Sequence, residues 1–198
     1  MFWVDLEMTG LDEYHDKILE VAVIITDIDY KILETYHRIV FQEQAVLDNM
    51  NDWCKENHGK SGLSAMVPKG TPQAEVEKEL LAIVERFYEK KEKVVLCGNS
   101  VGMDKRFIDV HMPDLAKKTH YRVVDVTSFK EVIRSKHGVH FPKAKGHRAL
   151  DDIKESIAEL QCYMSLIDDK KAKEMALKYP PEKNTEKNIV KNGKKVTS

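Results

Sequence analysis

The sequence predicts an α/β fold, a mixed sheet flanked by helices, from three observations. The first forty residues read as three successive strands, the middle alternates short buried strands with helices, and His147 to Ile167 carries its apolar residues on one helical stripe. A chain of 198 residues, 42% of them hydrophobic, is enough for one sizeable core.

Met1 to Glu7 is apolar with acids entering at its end, a short strand. Ile18 to Thr26 (ILEVAVIIT) is nearly continuous and β-branched, the pattern of a strand buried on both faces. Ile32 to Phe41 follows a tight Asp29-Tyr30-Lys31 connection and reads as a third, antiparallel strand. A helix is expected from about Leu47 to His58, then a loop from Gly59 to Thr71, then a long helix opened by Pro72 and running to about Lys90. Val94 to Cys97 is a short buried strand whose Gly98-Asn99-Ser100 turn feeds a helix through about Asp109. Arg122 to Asp125 is another strand, Thr127 to Lys136 a helix, and His137 to Gly146 a loop. The last helix, His147 to Ile167, aligns Leu150, Ile153, Ile157, Leu160, Met164 and Ile167.

Residues 168–198 hold nine Lys against five acids, with Pro180-Pro181 and little apolar periodicity, which predicts a partly helical start and then a flexible basic tail. That surplus of four leaves residues 1–167 at −5 within a net charge of −1. Such a balance argues against a broad basic surface for gripping long nucleic acid, so an anionic substrate needs a bound cation or a local basic pocket. Cys54, Cys97 and Cys162 are odd in number and widely spaced, which argues against disulfides or a zinc site and for a reducing compartment. No apolar run approaches the roughly 20 residues that span a membrane. Phe2-Trp3-Val4 already reads as strand, so no transit peptide is expected.

The chemistry is concentrated in acids. Strand alternation puts Asp5 and Glu7 on one face and Leu6 on the other, and two close carboxylates repel unless a cation sits between them. From this triplet alone, a solvated strand end is the competing reading. Asp104 lies where a buried strand turns into a helix, a common place for sites in α/β sheets, although an ordinary early-helix acid would fit there too. Asp151-Asp152 opens the last helix. Asp152 neighbours the small Ala149 and Ser156, whereas Asp151 neighbours Lys154 and Glu155, so Asp152 is the better ligand candidate. His147 precedes it by five residues. Hard oxygen donors with one imidazole, and no serine or cysteine nucleophile beside a base, suit Mg²⁺ or Mn²⁺.

Asp-x-Glu-x-Thr-Gly, Asn-Ser-x-x-x-Asp and His-x-x-x-x-Asp, in that order, resemble the DEDDh exonuclease superfamily, whose fold is ribonuclease H-like. The longer strings WVDLEMTGLD, DWCKENHGKSGL, GNSVGMDKRF, HYRVVDVTSFKE and HRALDDIKES resemble its oligoribonuclease family in the eukaryotic form, over about residues 2–167. The resemblance implies a 3′-to-5′ exoribonuclease acting on very short RNA, in which Asp5, Glu7, Asp104 and Asp152 hold two divalent cations. His147 is then the general base, a task that an imidazole pKa of about 6.5 suits near neutral pH.

It also implies that Trp53 stacks a base, where helix-core packing is the alternative, and that Leu11 wedges between two bases, where a turn anchor is the alternative. Tyr121 and Arg122 would reach across a homodimer into the partner's site. His58, Ser100, Arg122 and Thr127 match residues that close around a 5′ phosphate, and Thr127 stands where relatives often carry serine. Asn99 positions either Ser100 or a group on the metal. The implied compartment is cytosol, mitochondria or both.

Glu20, the one charge in its strand, either buttresses the Thr9 turn or lies at an exposed strand end. A proofreading-type or tRNA-trimming DEDDh exonuclease shares the five catalytic residues; the Trp53 and HYR blocks count against it. A non-catalytic binder of dinucleotides or of a partner protein would have no need of a general base. The tail is read as a plain solvated terminus in preference to a weak attractor of RNA.

Overall fold

A computed structural model describes residues 1–142 and 148–180. Among the described residues, strands Phe2–Met8 (β1), Ile18–Thr26 (β2), Ile32–Ile39 (β3), Val94–Gly98 (β4) and Thr119–Asp125 (β5) form one sheet in the order β3-β2-β1-β4-β5. The β1–β2 and β2–β3 pairs are antiparallel; β1–β4 and β4–β5 are parallel. β2 keeps its predicted bounds and all nine residues are buried, because helices cover the sheet on both faces.

The helices are Gln44–Asp48 (α1), Asp52–Lys60 (α2), Leu63–Met66 (α3), Gln73–Phe87 (α4), Gly102–His111 (α5), Pro113–Ala116 (α6), Val126–His137 (α7), Ala149–Met164 (α8) and Asp169–Lys178 (α9). Alternation along β1 divides the core in two. Phe2, Val4 and Leu6 pack with Val76, Leu80 and Ile83 of α4 and Phe107 of α5, while Trp3 packs with Ile153, Ile157, Leu160 and Tyr163 of α8. By the same parity Asp5 and Glu7 project toward the α8 side.

Several expected elements change. The helix predicted over 47–58 is two helices, because the Asn51 side chain accepts from Cys54 N and caps a fresh start. The predicted loop 59–71 contains α3, entered through Gly62 at φ 76°, and a 3₁₀ turn at Val67–Lys69. The short α6 was not foreseen. The last helix begins at Ala149 and ends at Met164, so Ile167 falls beyond the stripe and is 52% exposed. The partly helical start expected after 167 is α9; residues 181–198 and the segment 143–147 lie outside the described residues. Among the described residues no helix is long and apolar enough to cross a membrane.

Candidate active site

The site gathers where β1 ends, beside the turn that leaves β4 and the first turn of α8. Parallel neighbours on one side of β1 and an antiparallel neighbour on the other open the sheet there to a ligand. Asp5, Glu7 and Asp152 each offer a carboxylate oxygen, and these oxygens all lie within 4.8 Å of one another. Asp151, by contrast, is exposed and paired with Lys154 at 3.0 Å. Asp104, buried at the start of α5, stands beside this trio, and its Oδ1 accepts from Leu6 N at 2.9 Å.

Packing four acids together has an electrostatic cost. Burial pushes the Asp5 carboxyl well above the usual carboxylate range, and the charges of Asp104, Glu7 and Asp152 push it further. Glu7 is pushed up to about 7, by burial first and then by Glu20, Asp152 and Asp104, with Arg148 opposing. Burial likewise raises Asp104 to about 7 against hydrogen bonds from backbone amides. Such a donor set, all hard oxygens and in mutual repulsion, fits divalent cations.

His58 on α2 closes one wall. Its ring is buried, and Nε2 donates to the Met8 carbonyl at 2.8 Å. Its Nδ1 is 3.9 Å from Glu7 Oε2 and has no hydrogen-bond partner among the described residues. The Leu11 loop is tied by Asp16, whose carboxylate accepts from Thr9 Oγ1 at 2.8 Å and Asp12 N at 3.0 Å. A Cβ at Gly10 would collide with Asp16 Oδ2, so a side chain there would displace the carboxylate that ties the loop. Leu11 and Trp53 are 69% and 61% exposed, which removes core packing as the account of Trp53.

In the turn that leaves β4, Ser100 adopts φ 50°, a left-handed conformation uncommon outside glycine. Its N–H donates to Asp125 Oδ1 and Thr127 Oγ1, both at 2.9 Å, and the two hydroxyls are 3.2 Å apart. Thr127 therefore holds its hydroxyl beside that of Ser100. Asn99 bonds Thr127, Ser156 and Glu159. Tyr121 and Arg122 sit on the edge strand β5, Tyr121 75% exposed with its hydroxyl accepting from Arg122 Nε at 3.0 Å. His147 lies outside the described residues, which resume at Arg148.

Glu20 corrects both alternatives offered for it. It is fully buried, and Thr9 bonds Asp16 and Lys17 instead. Glu20 Oε1 accepts from Arg148 Nε at 3.0 Å, Arg148 Nη2 at 2.9 Å and His37 Nε2 at 2.5 Å. Arg148 caps the start of α8, its carbonyl accepting from the amides of Asp151 and Asp152. Sequence reasoning passed over Arg148, Asp16, Asp125 and Glu159. The lone acid within β2 was a signal that a buried cation had to exist somewhere.

A family model described as exonuclease matches residues 2–160. The chain is 46% identical to the mitochondrial oligoribonuclease of Mus musculus over 195 residues, covering 96% of this chain and 82% of that protein. The chain belongs to the oligoribonuclease family. A bacterial relative within the family, from Colwellia psychrerythraea, is 47% identical over 171 residues, 84% of this chain and 94% of that protein. The protein is accordingly a nuclease, an enzyme that hydrolyses phosphodiester bonds. Among solved structures, exonuclease I of Methylocaldum szegediense matches with a TM-score of 0.66 at 17% identity, over 83% of this chain and 40% of that one. Exonuclease I of E. coli in complex with a 5cy-dT13 oligonucleotide gives 0.63 at 12%, with the same coverage. These two share the fold, and this chain spans about two-fifths of their length.

Proposed function

We propose that this chain is a 3′-to-5′ exoribonuclease that takes very short oligoribonucleotides, dinucleotides above all, to 5′-mononucleotides. The observation that carries the reading is the convergence of Asp5, Glu7 and Asp152 oxygens within 4.8 Å in a chain of this family. Together with Asp104 they would hold two divalent cations, Mg²⁺ or Mn²⁺. When bound, the cations would supply charge stabilisation to the attacking and leaving oxygens of an in-line displacement.

The chain's own groups do the rest. His147 takes the proton of the attacking water. Trp53, exposed on α2, stacks a base, and Leu11 on its Asp16-tied loop separates two bases. Ser100 and Thr127, with Arg122 and His58, receive the 5′ phosphate, and Asn99 positions that pair. A groove closed at a phosphate measures length. Tyr121 and Arg122, on an exposed sheet edge, serve the second site of a homodimer. Residues 1–167 form the exonuclease domain, and 168–198 a basic tail dispensable for turnover. The setting is mitochondria or cytosol, in keeping with the relatives named mitochondrial.

The test is hydrolysis of a labelled 2-mer against a 7-mer and a 20-mer, with and without chelator. Rapid, chelator-sensitive release of mononucleotide from the 2-mer is expected. Equal or faster cleavage of the 20-mer would replace this reading with that of a long-strand exonuclease.

A further inference from the structure

Seven residues past Asp152, two turns or about 10 Å along α8, a second acid is buried away from the metal cluster. Glu159 is 1% exposed. Its Oε1 accepts from the Tyr163 hydroxyl at 2.8 Å and its Oε2 from Asn99 Nδ2 at 3.0 Å. The same Nδ2 donates to Ser156 Oγ at 2.7 Å, and Ser156 Oγ donates onward to the Asp152 carbonyl at 2.9 Å. With its NH₂ committed to two acceptors on α8, the Asn99 amide has one orientation left, carbonyl toward Thr127. Thr127 Oγ1 donates to that carbonyl at 3.2 Å and accepts from Ser100 N at 2.9 Å.

The chain of bonds thus ends on the strained residue of the groove. A left-handed serine persists only where its surroundings hold it, and the two acceptors on its N–H are Asp125 and Thr127. We infer that Glu159 is a positioning residue: through Asn99 and Thr127 it fixes where the Ser100 hydroxyl points, and hence whether a 5′ phosphate is gripped. The inference rests on the phosphate-pocket reading above and adds the part of the chain that sets it. It also makes α8 a spacer, with Asp152 at the cation end and the Glu159–Asn99 anchor at the phosphate end. The preference for one linkage length then follows from a rigid helix rather than from a loop.

The measurement is kcat and KM for a dinucleotide bearing a 5′ phosphate and for the same dinucleotide with a 5′ hydroxyl. Glu159→Ala is expected to shrink the preference for the phosphorylated form about tenfold, carried by KM, as for loss of one well-placed hydrogen bond. Turnover of the hydroxyl form stays within about twofold, and Mn²⁺ affinity measured by titration calorimetry is unchanged. Glu159→Gln, which still offers Asn99 an acceptor, retains most of the preference. Should Glu159→Ala fail to fold, Glu159→Met fills the volume without an acceptor and is read in the same way. An equal fall for both substrates, or an intact preference, overturns the inference. Ser100→Ala and Thr127→Val separate it from its foundation: if they too keep the preference, the pocket reading itself falls. If they lose it while Glu159→Ala does not, the positioning role alone is wrong.

Discussion

Glu7 on β1 and Glu20 on β2 stand directly opposite each other in the antiparallel ladder, yet their surroundings treat the same carboxylate in opposite ways. Burial, with the charges of Glu20, Asp152 and Asp104 behind it, raises Glu7 to about 7. Burial also raises Glu20, but hydrogen bonds from His37 and Arg148 outweigh it and hold that carboxyl below its ordinary value. One glutamate is closed within a charge network; the other is left in a cluster that repels itself. A folded chain keeps a buried charge by pairing it, so acids that repel one another in one place fit a cation as their counter-charge.

The sharpest way to break the comparison is to remove an acid from the repelling side. Asp5→Asn deletes one donor while keeping the shape, and turnover on a dinucleotide is expected to fall about a thousandfold or more, since cation stabilisation of the transition state contributes several kcal/mol. The metal-free variant should at the same time melt higher than the wild type, because the group whose ionised form is opposed by burial and by its neighbours is gone. Lower activity with a lower melting point would assign Asp5 to the scaffold instead.

The paired side should respond in the reverse sense. Arg148→Ala takes two hydrogen bonds from Glu20, which has no exposure and keeps the one from His37, and breaking a buried pair from one end costs about 3–5 kcal/mol. Since Arg148 is itself about one-third exposed, the lower end, about 3 kcal/mol, is the expectation in denaturant melts near neutral pH. Glu20 has a depressed pKa, so the pair's contribution is full above the ordinary glutamate pKa and is lost as pH falls through the folded value. The deficit of Arg148→Ala should therefore narrow in acid. Adding Glu20→Gln should recover part of it at neutral pH, and no recovery would mean the two do not act as a pair.

How much of this was legible depended on whether a residue's partners are close in sequence. The burial of β2 and the shared face of Asp5 and Glu7 follow from alternation, and the choice of Asp152 over Asp151 follows from neighbours one turn away. Asn51 as a helix cap was legible too, three residues before the amide it binds, although the expected helix ran through it. Glu20 announced a need for a cation but not its address, because Arg148 is 128 residues distant. Glu159 announced nothing: an acid inside a helix reads as solvent-facing until Asn99, 60 residues earlier in the chain, is known to meet it.

The smallest expected effect tests the comparison through stability alone, without substrate. Asp5, Glu7 and Asp104 have folded pKa values raised above their unfolded ones. Below about pH 4 both states hold these protons and the groups add no pH dependence. From there toward 7 the unfolded chain releases protons that the fold retains, so stability falls as pH rises across that window. The metal-free protein should thus melt at a lower temperature at pH 8 than at pH 5, by on the order of 5 °C for a chain of this size. Mn²⁺ competes with those protons, so its stabilisation should be larger at pH 8 than at pH 5. In Asp5→Asn both trends flatten, whereas in Arg148→Ala the metal-free slope steepens, because the cation that opposes the rise of Glu7 has been removed. Opposite changes of slope from the two variants would separate the cluster that awaits its counter-charge from the one that already holds it.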